Sequence, residues 1–334
     1  MQIEIGSDNL KQEIIQWSCE YLLSHGYTLK SKLPENVKNT PWSYVLRFTT
    51  SDGDVYLKHT PKLLALEAMI TKTLHDQFHF SVPEVIAHSA ELNCFLIKDA
   101  GRPLREVLKK KFDAALLYRA IDQFTSMQLA ISDHIHIFLD MGVPDWRLDK
   151  LSDLYKQLLS CKDILIADGL SEAEVNELNK QEWKVSSLCE KLSSYGIKQT
   201  IVQPDFHDNN ILIDDKSQNI TFIDLGEIVI SHPFFSLINC LYQAKKHHGV
   251  TEEDDAWKRL MDACLKNYMT IVSKKNLLDA FSIARILWFI YDILSQYRLM
   301  LACGQERVMS VQHGKLSKSL KEFMTAMEGN NEAN

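Results

Sequence analysis

The spacing of hydrophobic residues changes near residue 100. Before that point, apolar residues at helical spacing over 9–24 predict a helix that ends before Gly26. Segments rich in Val, Tyr, Leu and Phe at 42–49 and 55–60 predict two strands, and the turn residues of 50–54 join them in a β-hairpin. The remaining elements predicted here are a helix over 62–76 and strands over 84–88 and 94–98.

After residue 103 helical spacing dominates, with one β insertion at 199–230 that holds short strands over 211–213 and 220–223. Ser171 and Glu174 form a capping-box pattern, which predicts the start of a helix. The predicted helices span 103–109, 113–133, 147–167, 172–194, 233–247, 252–272 and 276–301. The pattern indicates an α+β fold with a small β-rich N-terminal lobe, 1–98, and a larger mainly helical C-terminal lobe, 102–334.

Composition narrows the class of protein. The chain has 334 residues, 46% of them hydrophobic and 24% charged, which is typical of a globular protein. Its net charge of −7 gives no overall basic field for nucleic acid or anionic lipid. The most apolar segment, 278–294, contains Asp279, Arg285 and Asp292, so a buried helix explains it better than a membrane span.

The cysteines indicate a reducing compartment. Seven are scattered along the chain without a Cys-x-x-Cys pair, which argues against both a disulfide framework and a structural zinc site. The first eight residues lack the positive region and apolar stretch of a signal peptide. We expect a cytoplasmic protein, monomer or homodimer, with no nucleic-acid or membrane partner.

One constellation of polar residues points to phosphoryl transfer. Asp205 and Asn210 are five residues apart on a predicted loop, and Asp224-Leu225-Gly226 begins fourteen residues after Asn210, beyond a hairpin. Phosphoryl transfer uses a carboxylate that orients the acceptor hydroxyl and a pair of oxygen ligands that hold Mg²⁺ against the phosphates. The spacing matches the catalytic-loop and metal-loop pair of kinases.

These motifs resemble the aminoglycoside phosphotransferase and choline kinase superfamily. Its catalytic loop usually reads His-Gly-Asp-Leu-His-Pro-Gly-Asn, where this chain has Gln-Pro-Asp-Phe-His-Asp-Asn-Asn at 203–210. Its metal loop reads Ile-Asp-Trp-Gly-Asp, where this chain has Ile-Asp-Leu-Gly-Glu at 223–227. The resemblance implies that Asp205 is the catalytic carboxylate, that Asn210 and Asp224 are the magnesium ligands, and that His207 is a scaffold residue.

The resemblance also implies a nucleotide site in the small lobe of a bilobal protein-kinase-like fold. Lys58, at the end of the second hairpin strand, matches the lysine that contacts the α- and β-phosphates, and Glu67 its orienting partner. The hinge corresponds to 97–101, where backbone groups at Ile97 and Asp99 would receive adenine. The phosphate-covering turn corresponds to 34–43, in which Ser43 would serve the phosphates.

The implied activity is transfer of the γ-phosphate of ATP, with Mg²⁺, to a hydroxyl of a small aminoglycoside-, choline- or sugar-like acceptor. Three departures matter: Gln203-Pro204 replaces His-Gly, Glu227 replaces aspartate, and the segment 34–43 has no glycine. They leave open a nucleotide-binding pseudokinase that acts as an interaction module. A protein kinase is a third reading, disfavoured because no Ala-Pro-Glu motif follows Asp224.

Overall fold

The computed structural model describes residues 8–331, and the side chains of 9–328. Of the first eight residues, in which a signal peptide was considered, residues 1–7 lie outside the described part of the chain. Contacts divide the chain into two compact units, each assembled from separate segments. Unit 1 comprises the described residues up to Arg102, Leu212–Gly226 and Leu299–Val308; unit 2 comprises Pro103–Ile211, Glu227–Arg298 and the described residues from Met309. The lobes 1–98 and 102–334 stay a prediction.

Unit 1 is built on an antiparallel sheet of five strands in the order β1-β2-β3-β5-β4. Its elements are α1 (Asp8–Ser24), β1 (Glu35–Thr40), β2 (Ser43–Thr50), β3 (Gly53–His59), α2 (Glu67–Asp76), β4 (Val85–Ser89) and β5 (Cys94–Lys98). One face of the sheet carries Leu46, Leu57 and Leu96, which are fully buried in a core with Ile14 and Leu22 of α1. The predicted hairpin and the two later strands are confirmed.

Two predictions in unit 1 need correction. The segment 34–43 is not an open turn, because β1 occupies most of it and pairs with β2 across Pro41 and Trp42. Most β1 side chains are exposed, so the strand has no hydrophobic alternation for sequence reasoning to detect. The helix expected over 62–76 is a 3-10 helix, Lys62–Leu64, followed by α2.

A second, three-stranded sheet has the order β6-β8-β9, with β6 at Arg102–Pro103, β8 at Ile211–Ile213 and β9 at Ile220–Phe222. Gly101, directly before β6, lies against the backbone of β8. A Cβ atom at Gly101 would stand 2.4 Å from the Ile213 carbonyl oxygen, and its φ of +113° also requires glycine. The segment that follows β5 is therefore in direct backbone contact with the hairpin that precedes Asp224.

The chain beyond residue 103 is mainly helical, as predicted. Its helices are α3 (Leu104–Lys110), α4 (Ala114–Ile131), α5 (Ile135–Asp140), α6 (Leu148–Ser160), α7 (Lys162–Ala167), α8 (Glu172–Lys180), α9 (Glu182–Ser193), α10 (Phe234–His248), α11 (Asp255–Lys266), α12 (Lys274–Cys303), α13 (Gln305–Gln312) and α14 (Lys315–Asn331). Within residues 8–331, no helix is both long and apolar enough to cross a membrane.

Three of the long predicted helices are shorter than expected. The helix over 147–167 is interrupted at Cys161, whose ψ of 53° is not helical, and the helix over 172–194 is interrupted at Gln181. The helix over 252–272 begins only at Asp255 and ends in a 3-10 turn, Asn267–Thr270. The capping box is confirmed, since Ser171 and Glu174 exchange both hydrogen bonds.

The centre of unit 2 is a short antiparallel pair, β7 (Thr200–Val202) with β10 (Val229–Ser231). The buried Gln128 of α4 donates to the Ile201 carbonyl over 2.9 Å, and the Thr200 hydroxyl donates to the Gln128 carbonyl over 2.7 Å. Since buried polar groups cost free energy when unpaired, these bonds fix β7 against α4. The loop after β7, which carries Asp205 and Asn210, thus starts from a rigid position.

Candidate active site

Unit 1 brings Lys58, Glu67 and Asp224 together, and we call this group the Lys58 cluster. The Lys58 ammonium Nζ lies 2.6 Å from Glu67 Oε2 and 2.5 Å from Asp224 Oδ1. Lys58 comes from β3, Glu67 from the first turn of α2, and Asp224 from the loop after β9. The lysine and both acids that the sequence analysis selected in this region are therefore one contiguous group.

The backbone around Asp224 is held in an unusual conformation. Asp224 has a φ of +64°, in the left-handed region that residues other than glycine seldom adopt. The Leu225 amide donates to Glu67 Oε1 over 3.1 Å, and a Cβ atom at Gly226 would meet Glu67 Oε2 at 2.9 Å. Glu67 thus binds both Lys58 and the Asp224 loop, and the close approach explains why glycine follows Leu225.

Burial and charge act in opposite directions on these groups. Burial of the Lys58 ammonium disfavours its charge, but attraction to Asp224 and Glu67 outweighs this and raises the pKa of Lys58. Burial also raises the pKa of Glu67, against the lowering effect of Lys58. Lys58 therefore stays protonated.

Unit 2 brings Asp205 and Asn210 together on the loop after β7. The Asn210 side-chain amide donates to the Asp205 carbonyl over 2.9 Å and to the Asp205 carboxylate over 3.2 Å. The His207 ring accepts from the Asn209 amide at Nδ1, so its Nε2 carries the hydrogen that faces Asp205 Oδ1 at 2.9 Å. Asp205 remains 57% exposed on its side chain, so its carboxylate is oriented yet open to a ligand.

The same loop is anchored by a second charged group, which we call the Asp208 cluster: Arg105, Asp208 and His248. Asp208 accepts from Arg105 Nε over 2.8 Å and lies 2.7 Å from His248 Nε2, and the Arg105 amide donates to its carbonyl. Burial raises the pKa of Asp208, but the bonds from Arg105 and His248 outweigh this and lower it. No sequence motif predicts this cluster, and its only local signal is that Asp208 stands where the superfamily loop has proline.

The departure at Gln203 leaves the loop backbone well supported. The Ser236 hydroxyl of α10 accepts from the Gln203 amide over 2.8 Å and donates to the Gln203 carbonyl over 2.9 Å. Further along α10, the Asn239 amide donates to the Phe206 carbonyl over 3.3 Å. Helix α10 therefore provides backbone bracing on the side of the loop where the usual histidine is missing.

Ser43, Ile97 and Asp99 lie on or beside the sheet of unit 1. Ser43 is buried, and its hydroxyl has no hydrogen-bond partner among the described residues. Ile97 of β5 pairs with Tyr56 of β3 and is half-buried. The Asp99 amide donates to the Asp54 carbonyl over 3.1 Å, and its side chain accepts from Gly101. The amide at Asp99 is therefore already occupied, and adenine would need other backbone groups at 97–101.

His232 is a buried histidine outside both clusters. It is fully buried, and burial lowers its pKa to about 3. Its Nδ1 accepts from the Phe234 amide, and its Nε2 has no partner in the described chain. His232 is therefore a neutral packing residue beside the aromatic rings of Phe234 and Phe235.

The residues predicted to hold magnesium lie in different units. Within residues 8–331, no group of three His, Cys, Asp or Glu side chains is arranged to bind a metal by itself. Of the two predicted ligands, Asp224 lies in unit 1 and Asn210 in unit 2, and their role in holding Mg²⁺ stays a prediction. Each carries an oxygen of the kind that Mg²⁺ prefers.

Comparison with known proteins assigns the family. The sequence model of the "Phosphotransferase enzyme family" matches residues 36–263, and the chain belongs to this family of phosphotransferases. The matched range contains the Lys58 cluster and the whole of the loop 203–210. Among curated protein sequences, none matches the chain.

Solved structures are similar along nearly the whole chain. An ethanolamine kinase from Plasmodium vivax has 12% identity and a TM-score of 0.60, covering 97% of this chain and 95% of that one. The choline kinase LicA from Streptococcus pneumoniae has 12% identity and a TM-score of 0.59, covering 94% and 98%. The amicoumacin kinase hAmiN has 15% identity and a TM-score of 0.58, covering 95% and 96%. The α+β protein-kinase-like fold is confirmed.

Proposed function

We propose that the protein transfers the γ-phosphate of ATP, in the presence of Mg²⁺, to a hydroxyl group of a small molecule. The observation that carries the proposal is the state of Asp205. Its carboxylate is exposed yet oriented by His207 and Asn210, whereas a merely structural carboxylate in such a loop would be closed off, as Asp208 is. Exposure with fixed orientation suits a group that receives an acceptor.

On the acceptor side, Asp205 would hydrogen-bond the acceptor hydroxyl and take its proton. The hydroxyl oxygen forms a bond to the γ-phosphorus, the bond from that phosphorus to the bridging oxygen of ADP breaks, and the proton resides on Asp205. His207 keeps the carboxylate in place during this step because its Nε2 hydrogen faces Oδ1. The products are the phosphorylated acceptor and ADP.

On the nucleotide side, Lys58 would bind the α- and β-phosphates while Glu67 holds its ammonium group in position. Asn210 and Asp224 would hold Mg²⁺, which when bound neutralises charge on the phosphates. In the structure Lys58 and Asp224 contact each other. Bound nucleotide would replace this contact with one from Lys58 to phosphate and one from Asp224 to the ion.

The similar structures support a small acceptor and an adenine nucleotide. They include enzymes named for ethanolamine, choline and amicoumacin, and the amicoumacin kinase was determined in complex with AMP-PNP, Ca²⁺ and Ami. Because one fold hosts many acceptors, we propose only an aminoglycoside-, choline- or sugar-like alcohol. We place adenine at 97–101, beside the half-buried Ile97.

The test is transfer of phosphate from labelled ATP to a panel of amino-alcohols, sugars and antibiotics. We expect Asp205→Asn to lower kcat by about 10²–10⁴-fold, the usual contribution of a general base, with the Kd for ATP unchanged. Asp140→Asn, at an exposed carboxylate on α5, is the matched control and should leave kcat unchanged.

Equal losses of kcat and ATP affinity in Asp205→Asn would remove the proposed role of this residue. Wild-type protein that binds Mg²⁺ and ATP, yet transfers phosphate to no acceptor and hydrolyses no ATP, would favour the pseudokinase alternative. Transfer to a generic protein substrate would favour the protein kinase.

A further inference from the structure

The β1–β2 hairpin sets the direction of one lysine. Thr40, Asn39 and Lys38 pair without interruption with Ser43, Tyr44 and Val45, so the turn between the strands fixes the face on which Lys38 lies. Asn36 pairs with Leu46, so Val37 has no partner on β2 and forms a β-bulge before Lys38. Val37 itself is half exposed, which is typical of a bulged residue at a sheet edge.

The register with β2 places Lys38 on the same face of the sheet as Lys58. Val45 of β2 pairs with Lys38 on one side and with Lys58 on the other, and directly paired residues of antiparallel strands share a face. The next residue, Asn39, pairs with Tyr44, which is buried in the core against α1, so Lys38 lies on the opposite face. Lys38 is therefore off the apolar face and on the face that carries Lys58.

On that face, Lys38 reaches the Lys58 cluster. Its Nζ lies 4.0 Å from Asp224 Oδ2, while Lys58 Nζ lies 2.5 Å from Oδ1 of the same carboxylate. The side chain of Lys38 is 44% exposed, against 11% for Lys58. Lys58 is therefore fixed by two carboxylates, whereas Lys38 is a long, partly solvated cation that can reorient toward a ligand bound at Asp224.

We propose that Lys38 is a second phosphate-binding lysine, which contacts the terminal phosphates of the nucleotide. This inference rests on the proposed function and extends it to a residue of the glycine-free segment 34–43. Glycine-rich loops cover phosphates with backbone amides, but β1 and β2 pair here directly across Pro41 and Trp42. Lys38, beside the proposed metal ligand Asp224, would supply positive charge to the phosphates in place of such backbone amides.

The inference predicts a loss that depends on the number of phosphates in the ligand. Binding of ATP, ADP and adenosine, each with Mg²⁺, would be measured by calorimetry for wild type, Lys38→Met, Lys38→Arg and Lys32→Met. We expect Lys38→Met to raise the Kd for ATP about tenfold, as for one lost charge-assisted hydrogen bond, and to leave adenosine unchanged. Lys38→Arg should retain most of the ATP affinity.

Lys32→Met is the matched control, because it removes the same charge from an exposed position before β1. An equal loss of ATP and adenosine affinity in Lys38→Met would overturn the inference, since a structural defect weakens every ligand alike. An unchanged ATP affinity in Lys38→Met, or an equal loss in Lys32→Met, would also overturn it and leave the proposed function intact. Wild-type protein that binds no ATP would overturn both.

Discussion

The Lys58 cluster of unit 1 and the Asp208 cluster of unit 2 both contain buried charged side chains. Only the Asp208 cluster is closed to solvent, because all three of its side chains are buried or nearly so. In the Asp208 cluster the side chains of Arg105, Asp208 and His248 are 15%, 4% and 2% exposed. In the Lys58 cluster, two carboxylates share the Lys58 ammonium and the Asp224 side chain is 25% exposed. A closed cluster can hold a loop in shape, whereas an open one with surplus negative charge can accept a further cation.

The largest effect should come from breaking the Lys58 cluster itself. Lys58→Met leaves Glu67 buried beside Asp224 without a counter-charge, and loss of one partner of a buried pair costs about 3–5 kcal/mol of unfolding free energy. Urea denaturation would measure this change. The double variant Lys58→Met/Glu67→Leu should regain part of the lost unfolding free energy, and the control Lys32→Met should not change the unfolding free energy. A cost below about 1 kcal/mol would mean that water reaches Glu67.

A second experiment separates the open cluster from the closed one. At about 100 times its Kd, ATP should add roughly 2.7 kcal/mol to the unfolding free energy of the wild type. We expect Asp224→Asn to lose the magnesium-dependent part of this gain, and Asp208→Asn to keep it although its ligand-free form is less stable. Thermal unfolding with ATP, with and without Mg²⁺, would show the contrast. A magnesium effect that survives Asp224→Asn would contradict the assignment of this residue as a ligand.

The smallest expected effect concerns His232, a buried group with no ionic partner among the described residues. Burial lowers the pKa of His232 to about 3, below the ordinary value of 6.5, so protonation favours the unfolded chain. Stability from this residue is therefore complete above pH 6.5 and decreases as the pH falls. At pH 5.5 the loss is about 1.4 kcal/mol. Urea denaturation at pH 7.5 and 5.5 should show a smaller decrease for His232→Gln than for wild type. The exposed control His136→Gln should behave as wild type.

How much the sequence could predict depends on whether a feature is local. Helix α1, the β2–β3 hairpin and α12 follow from hydrophobic spacing and turn residues close together in the chain. Strand β1 is not predicted because its mostly exposed residues, Glu-Asn-Val-Lys-Asn-Thr, show no hydrophobic alternation. Strands β7 and β10 are three residues each and exist because they pair with each other.

The candidate site divides in the same way. Asp205, Asn210 and Asp224 belong to short motifs, and Lys58 and Glu67 to positions relative to a hairpin, so the resemblance was sufficient to select them. The Asp208 cluster joins residues 103 and 40 positions apart, and no local pattern marks Arg105 or His248. The direction of Lys38 depends on the register of β1 with β2, which no local pattern in the sequence shows.

The discontinuity of unit 1 has a consequence for the order in which the chain acquires its structure during synthesis. Lys58 and Asp224 are 166 residues apart in sequence, and the segment Leu212–Gly226 belongs to unit 1 although the first segment of unit 2, Pro103–Ile211, is made before it. The nascent chain therefore cannot complete the Lys58 cluster until residue 226 has left the ribosome. During that interval Lys58 and Glu67 have no Asp224 to bind, and nucleotide cannot assist the folding of the first hundred residues through this carboxylate.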